Sequence, residues 1–259
     1  MTEILKAEKL SFAYNTAKPL LHELDLTVNR GDFLGLIGPN GAGKTTIFRL
    51  LSGFLKPHSG SVSLHGKDIR VISHRERAKI MAVVPQFITS PMPFTVRQVV
   101  EMGRTSRLSN IMPLSVEDRQ AVQQALDEMD LVNLAENYFN QLSGGERQRT
   151  MIAAALAQEP EILLLDEPTA ALDLGHTVKL MAILNSLRQR GITVMTISHD
   201  IELMARYCRQ LILLRNGTIL ASGTPNEIIT PEQIENAYGC KVEIVNGPQG
   251  EPLLSHPRI

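Results

Sequence analysis

"GPNGAGKTT", Gly38 to Thr46, decides the fold. It satisfies G-x-x-x-x-G-K-[ST], and its flanks are those the pattern requires: the apolar run "FLGLIG" (Phe33 to Gly38) reads as a buried strand before it, and "TTIFRLLSG" as a helix after it. Glycines at Gly38, Gly41 and Gly43 let the run Gly38, Pro39, Asn40, Gly41, Ala42, Gly43 curl main-chain N–H groups around phosphate oxygens at a helix start. Lys44 supplies a charge for the β- and γ-phosphates and Thr45 a hydroxyl for Mg²⁺, with Thr46 in the same nucleotide-binding run.

Outward from this loop, "ILLLDE" (Ile162 to Glu167), "TVMTIS" (Thr193 to Ser198) and "QLILLRNG" (Gln210 to Gly217) are further short apolar runs, the pattern of strands buried on both faces. The first two of these, with "FLGLIG", predict a parallel sheet core. "ILKAEKLSFAY" and "LHELDLTVNRGD" instead alternate apolar and polar residues, which predicts antiparallel strands with one wet face. From Gln86 to Pro160 the character changes. "SVEDRQAVQQALDEMDLVNLAENYF" (Ser115 to Phe139) has apolar residues at helical spacing, with Ser115 and Asp118 set as a capping box. After Gly217 a strand, a short helix and a closing hairpin turning at "NGPQG" are expected.

Composition narrows the setting. The chain has 259 residues, and its net charge of -1 gives no electrostatic footprint for nucleic acid. No apolar run approaches the roughly 18 residues of a membrane span, and the start lacks the order of a signal peptide, so a cytoplasmic location is expected. Cys208 and Cys240 lack metal-ligand spacing and read as reduced, neutral thiols.

Two acids at the mouth of an apolar strand need a reason. Asp166 is placed to hold Mg²⁺, and Glu167 to polarise the water that attacks a γ-phosphate. His199 ends another buried strand and could donate to the same phosphate. His22, His58, His65, His74, His176 and His256 read as turn-like or solvated residues without partners. Gln86, closing "VVPQ", is placed to sense Mg²⁺ and the attacking water, and Tyr14 offers a ring to stack on adenine. A second glycine-rich helix start, "LSGGERQR" (Leu142 to Arg149), raises the question of why one nucleotide should need two such loops.

Taken in order, "GPNGAGKTT", "VVPQ", "LSGGERQR", "ILLLDEP", "AALD" and "SH" resemble the ATP-binding subunit of ABC transporters over nearly the whole chain. The resemblance implies an α/β fold: a P-loop NTPase (RecA-like) core with a parallel sheet, an N-terminal antiparallel β subdomain and an inserted α-helical subdomain. It implies one ATP-binding domain over 1–240, with the core in 1–86 and 160–240, the helical subdomain in 87–159, and a C-terminal hairpin and tail in 241–259. It also implies a head-to-tail homodimer clamping two ATP molecules, in which Ser143, Gly144 and Gly145 of one copy cover the γ-phosphate held by Lys44 of the other. Asp173 would link the two sites.

"FTVRQVVEMGRTSRL" and the C-terminal segment look like importers of iron–siderophore, haem and cobalamin chelates. Such cassettes work with two membrane permease subunits, at the cytoplasmic face of the membrane, and indirectly with an external binding protein. Phe87, Met92 and Phe94 would then meet a permease helix. Alternatives are an importer of another cargo such as molybdate, a split exporter, and a soluble ABC protein outside transport. Ala170, Glu146 and Ala154 depart from residues frequent in the family, serine, glutamine and arginine respectively.

Overall fold

Strands with no polar face form wherever an uninterrupted apolar run is closed by a turn. The computed structural model describes residues 2–15, 19–86, 93–108 and 113–255. In chain order these hold β1 (Glu3–Phe12), β2 (Leu21–Asn29), β3 (Phe33–Ile37), α1 (Lys44–Leu51), β4 (Ser59–Leu64) and β5 (Lys67–Asp68). Next come α2 (His74–Ile80), β6 (Met81–Val84), α3 (Val96–Met102), α4 (Val116–Glu128), α5 (Gly144–Ala157), β7 (Ile162–Asp166) and α6 (Leu174–Gln189). The last part holds β8 (Thr193–Ile197), α7 (Ile201–Tyr207), β9 (Gln210–Arg215), β10 (Thr218–Gly223), α8 (Pro225–Ile228), α9 (Pro231–Tyr238), β11 (Glu243–Asn246) and β12 (Pro252–Ser255). The chain forms two compact units, Met1–Val71 with Thr193–Ile259, and Ile72–Ile192.

In the first unit, β3 pairs in parallel with β8 on one side and β9 on the other, and β10 runs antiparallel along β9. Every residue of β3 and β8 is buried, as a parallel sheet requires. The connection from β8 to β9, which flank β3, carries α7, since parallel strands of one sheet need a crossover. A separate antiparallel sheet has the order β2-β1-β4-β5. In β2 the expected alternation holds from Leu24 through Leu26 to Val28, and breaks before it, where Glu23 at φ +43° adds a residue between Leu21 and Leu24. In β1 it fails: Ile4 and Leu5 are both buried, and the register slips between Ala7 and Leu10, where Lys9 adopts φ +46°. The bulge takes up one residue and breaks the period of two.

The closing hairpin forms as expected, with Glu243 opposite Ser255 and Asn246 opposite Pro252. It is tied to α7, because Leu254 N donates to Glu202 Oε1 at 2.8 Å and Arg206 reaches Glu251 at 3.2 Å. Cys208 is buried with its thiol against the Met204 sulfur at 3.7 Å, and burial pushes that thiol up out of the reactive range.

The second unit is held by its helix starts. Ser73, Thr95, Ser115 and Ser143 each cap a helix in a reciprocal box with Glu76, Gln98, Asp118 and Glu146, so two otherwise orphaned N–H groups are satisfied at each start. The helical spacing over 115–139 does not give one helix. It ends at Glu128, Asp130 turns left-handed at φ +53°, and two short 3-10 turns follow at Val132–Leu134 and Phe139–Gln141. The Ala125, Leu126 and Asp127 carbonyls at the end of α4 accept from the N–H groups of Met129, Leu131 and Asp130, and Arg149 from α5 donates to the next free carbonyls, Met129 and Asp130, at 3.0 and 3.3 Å. β6 and β7 pair in parallel from Met81 opposite Ile162 to Val84 opposite Leu165.

Several histidines do have partners, contrary to expectation. Ala13 N donates to His58 Nδ1 at 3.3 Å, Arg30 and Arg77 lie on His65 and His74, and His176 pairs with Asp173. In each case a ring nitrogen, able to donate or to accept, finds a polar group beside it.

One buried charge organises the helices. Arg104, 5% exposed, donates to Asp118 at 2.8 Å, to the Ala157 carbonyl at 2.7 Å and to Glu159 at 2.6 Å. It thereby joins the start of α4 to the end of α5. The guanidinium holds the Asp118 carboxyl below its ordinary range. Removing one partner of such a pair strands the other, so Arg104→Met is expected to cost about 3 kcal/mol in urea unfolding. A depressed carboxyl stabilises above its unfolded pKa and stops doing so as the pH falls through its folded one. The difference between the variant and the parent should therefore shrink below about pH 4.

Candidate functional site

In the first unit the phosphate loop follows β3 directly. Gly38 has φ +149° and a Cβ there would lie 2.4 Å from the Leu214 carbonyl oxygen on β9; Gly43 has φ +103° and its Cβ would meet Leu21 at 2.6 Å. Only glycine fits either place, because the backbone conformation and the space both exclude a side chain. Gly41, at φ +81°, forms the exposed bend between them, and Ala42 N closes it on the Pro39 carbonyl at 3.2 Å. Lys44 opens α1 and is 7% exposed; its ammonium donates to the Gly38 and Pro39 carbonyls at 2.7 and 3.0 Å. Its charge is thus held at the mouth of the loop. Thr45 is half-buried beside it.

Tyr14 lies two residues beyond β1, with its ring 62% exposed and edge-on to Phe12 at 4.9 Å. Its hydroxyl is 3.4 Å from the Thr46 hydroxyl, so the structure brings this ring to the first turn of α1. His199 is exposed in the turn between β8 and α7, one residue before Asp200, which caps α7 through Leu203 N at 2.9 Å.

In the second unit Asp166 is the last residue of β7 and 2% exposed, and Glu167 follows it half-buried in the left-handed region at φ +49°. For a glutamate that conformation costs about 1–3 kcal/mol, which the turns Ala170 N to Glu167 O (3.2 Å) and Leu172 N to Thr169 O (3.0 Å) help to hold. Gln86, just past β6, donates from Nε2 to Glu167 Oε2 at 2.6 Å. Parallel pairing of β6 with β7 sets this meeting, because it puts both strand ends side by side.

"LSGGERQR" becomes the start of α5. Ser143 is its N-cap; the Ser143 N–H and hydroxyl both lie 2.8 Å from Glu146 Oε2, and these bonds keep the Glu146 carboxyl below its ordinary range. The departure at Glu146 is thus a full capping-box acid. Gly144 is exposed and Gly145 half-buried, packed near Ala171 and Leu172. Asp173 caps α6, accepting from His176 N at 2.8 Å with the His176 ring at 2.9 Å. These bonds, the main-chain one foremost, hold its carboxyl below the usual range.

Ala154 is buried where α5 meets Gly103, whose added Cβ would lie 2.1 Å from the Ala154 carbonyl. Phe87 and Met92 lie outside the described residues; Phe94 is half-buried, and its carbonyl accepts from Phe139 N at 2.8 Å. Gln148 was not singled out from sequence, although its spacing of four from Gly144 puts both on one face of α5.

A profile of the family described as "ABC transporter" matches residues 21–170. The chain belongs to the ABC transporter family. It is 38% identical to the iron(3+)-hydroxamate import ATP-binding protein FhuC of Bacillus subtilis, over 95% of this chain and 91% of that protein. It is 40% identical to the hemin import ATP-binding protein HmuV of Gloeobacter violaceus (91% and 88%), and 38% identical to the ferric enterobactin transport ATP-binding protein FepC of Escherichia coli (96% and 93%). Among solved structures, a chain of an inward-facing transporter described as of metal-chelate type superposes with TM-score 0.84 at 29% identity, covering 98% of each. A dimeric bacterial ABC transporter cassette superposes with TM-score 0.77 at 29% identity, covering 85% of this chain and 98% of that one. As a member of this family the chain is a nucleotide-binding ABC-type ATPase.

The cradle geometry gives a direct check. Gly38→Ala adds a Cβ onto the Leu214 carbonyl at a φ that alanine rarely adopts. It should cost about 1–3 kcal/mol of stability and weaken ATP binding with it, read by thermal unfolding and by titration with a fluorescent ATP analogue.

Proposed function

We propose that this chain is the ATP-hydrolysing subunit of an importer for a metal chelate of the iron–siderophore, haem or cobalamin kind. What supports the cargo class is the likeness, over nearly full lengths, to cassettes named for hydroxamate, hemin and enterobactin import. What carries the hydrolytic reading is the pair of acids after a wholly buried strand, with Gln86 bonded to one of them.

The residues fit ATP with Mg²⁺. The glycine cradle and the Lys44 ammonium suit phosphate oxygens, the Tyr14 face suits adenine, and Thr45, Asp166 and Gln86 offer the hard oxygen donors that Mg²⁺ takes. When bound, the ion supplies positive charge to the β- and γ-phosphates. The chain's own residues do the rest. Gly38, Pro39, Asn40, Gly41, Ala42, Gly43 and Thr46 hold the phosphate chain with Lys44. Glu167 takes a proton from the attacking water as its oxygen bonds to the γ-phosphorus and the bridging oxygen leaves with ADP. Gln86 orients that carboxylate and water, and His199 donates to the γ-phosphate.

Ser143, Gly144 and Gly145 act on the nucleotide of a second copy. The start of α5 presents N–H groups that no helix satisfies internally, at a positive dipole end, which suits the γ-phosphate of a head-to-tail partner. Asp173, stationed at the cap of α6, joins the two sites. We place the cassette at the cytoplasmic face of the cell membrane, on two permease subunits received by the 87–100 region, with an external binding protein delivering cargo. No helix among the described residues is long and apolar enough to cross a membrane. The domain bounds proposed for this assembly remain 1–86 and 160–240 for the core, 87–159 for the helical part and 241–259 for the tail.

Glu167→Gln is expected to keep ATP affinity, to lose at least about 100-fold in turnover, and to accumulate dimers on size exclusion with ATP; unchanged turnover would remove Glu167 as base. Lys44→Ala should lose most ATP binding in the same titration. For cargo, a deletion strain should lose uptake of one labelled chelate among iron–siderophore, haem and cobalamin. Loss of labelled molybdate uptake instead would overturn the chelate reading.

A further inference from the structure

The cleft beside the Gln86–Glu167 pair has a wall of which the roles above use only Gly144. Gly144, Gln148 and Met151 stand one above another on α5, at the spacing of a single helical face, and line a cleft of about 380 Å³ that Gln86 and Glu167 also line. Arg147 shares that face but donates from Nη2 to the Asn140 carbonyl at 2.9 Å. Gln148 is different. It is 9% exposed, and its Nε2 has no hydrogen-bond partner among the described residues.

A buried amide donor left dry costs about 1–3 kcal/mol, so such groups persist where a partner or a water meets them. The cleft has room for several waters at roughly 30 Å³ each. Its acceptors are the Glu167 carboxylate, already bonded to Gln86 at 2.6 Å, and the Gln86 amide oxygen. We propose that Gln148 is a positioning residue for ATP hydrolysis: through water held in this cleft, its amide donates toward the Gln86–Glu167 pair and fixes that pair's orientation. The helix that begins at Ser143 is thereby linked to the hydrolytic carboxylate of the same chain. This rests on the reading of Glu167 as the base.

The test uses the full chain with ATP and three substitutions. Gln148→Leu removes the donor and Gln148→Glu keeps the size without a donor, and each should lower kcat about tenfold while KM and the ATP dissociation constant stay within about twofold. Gln148→Asn, which keeps a donor, should recover most of the loss. A crystal structure of the nucleotide-free protein should show an ordered water within about 3 Å of Gln148 Nε2 and of the Gln86 or Glu167 side chain. Unchanged kcat in the Leu and Glu variants, beside an inactive Glu167→Gln, would overturn the inference alone, as would a Gln148 amide bonded elsewhere with no such water. A fully active Glu167→Gln would instead overturn the reading beneath it. If the Leu variant fails to fold, the nearly isosteric Glu variant carries the same comparison.

Discussion

A strand buried on both faces can carry a polar group only where the protein itself supplies a partner, as the Gly31 N–H does for the Thr193 hydroxyl on β8. That constraint governs this protein. β3 and β8 are buried at every position, as is β7, whose closing Asp166 is 2% exposed. The candidate site residues accordingly lie at or just past the C-terminal ends of strands, the general location of ligands in open α/β sheets. Gly38 and its loop follow β3, Glu167 follows β7, His199 follows β8, and Gln86 follows β6. The backbone at two of these ends is forced into uncommon conformations, Gly38 at φ +149° and Glu167 at φ +49°. Glycine tolerates this at the first, whereas Glu167 is held by its turn and by the bond from Gln86.

The second unit solves a different problem, the starts and ends of short helices. Capping boxes at Ser73, Thr95, Ser115 and Ser143 each replace solvent with a side chain, and losing a cap costs typically about 1 kcal/mol. At Ser143 this has a functional side. The same capping that stabilises α5 fixes where its first N–H groups point, and Glu146 ties the Ser143 hydroxyl down at 2.8 Å. A glutamate at this place keeps the cap ionised and rigid, so the departure from glutamine strengthens a local structural role without removing the glycines beside it.

What was legible in the sequence follows from the same physics. Runs such as "ILLLDE" were readable because complete burial selects mainly apolar residues, and the acids that close the run stand out against it. The phosphate loop was readable because its glycines answer to backbone and steric demands that no other residue meets. The bulge at Lys9 was not, since period two gives no sign of one inserted residue. The end of α4 at Glu128 was hidden because the carbonyls just past it, Met129 and Asp130, are met by the distant Arg149 of α5. The partners of His58 and His65 and the meeting of Gln86 with Glu167 are likewise contacts between distant residues, set by topology and invisible to local pattern, whereas His74 and His176 pair three residues away, within reach of helical spacing.

The second glycine-rich start takes its meaning from what Lys44 and Ser143 each have locally. Lys44 is buried and already turned into its own loop through the Gly38 and Pro39 carbonyls, so the first loop is a finished cradle. Ser143 and Gly144 are exposed, on a helix whose cap is complete, so the second start is a finished donor with its face to solvent. A donor array held rigid at a cost in capping residues, yet directed outward, is what an intermolecular site demands: rigidity lowers the entropy lost on closure, and exposure lets the second copy reach it. The opposite arrangement, a buried second start, would serve only packing. On the reading proposed above, the glycines of "LSGGERQR" are one half of a site that a second copy completes.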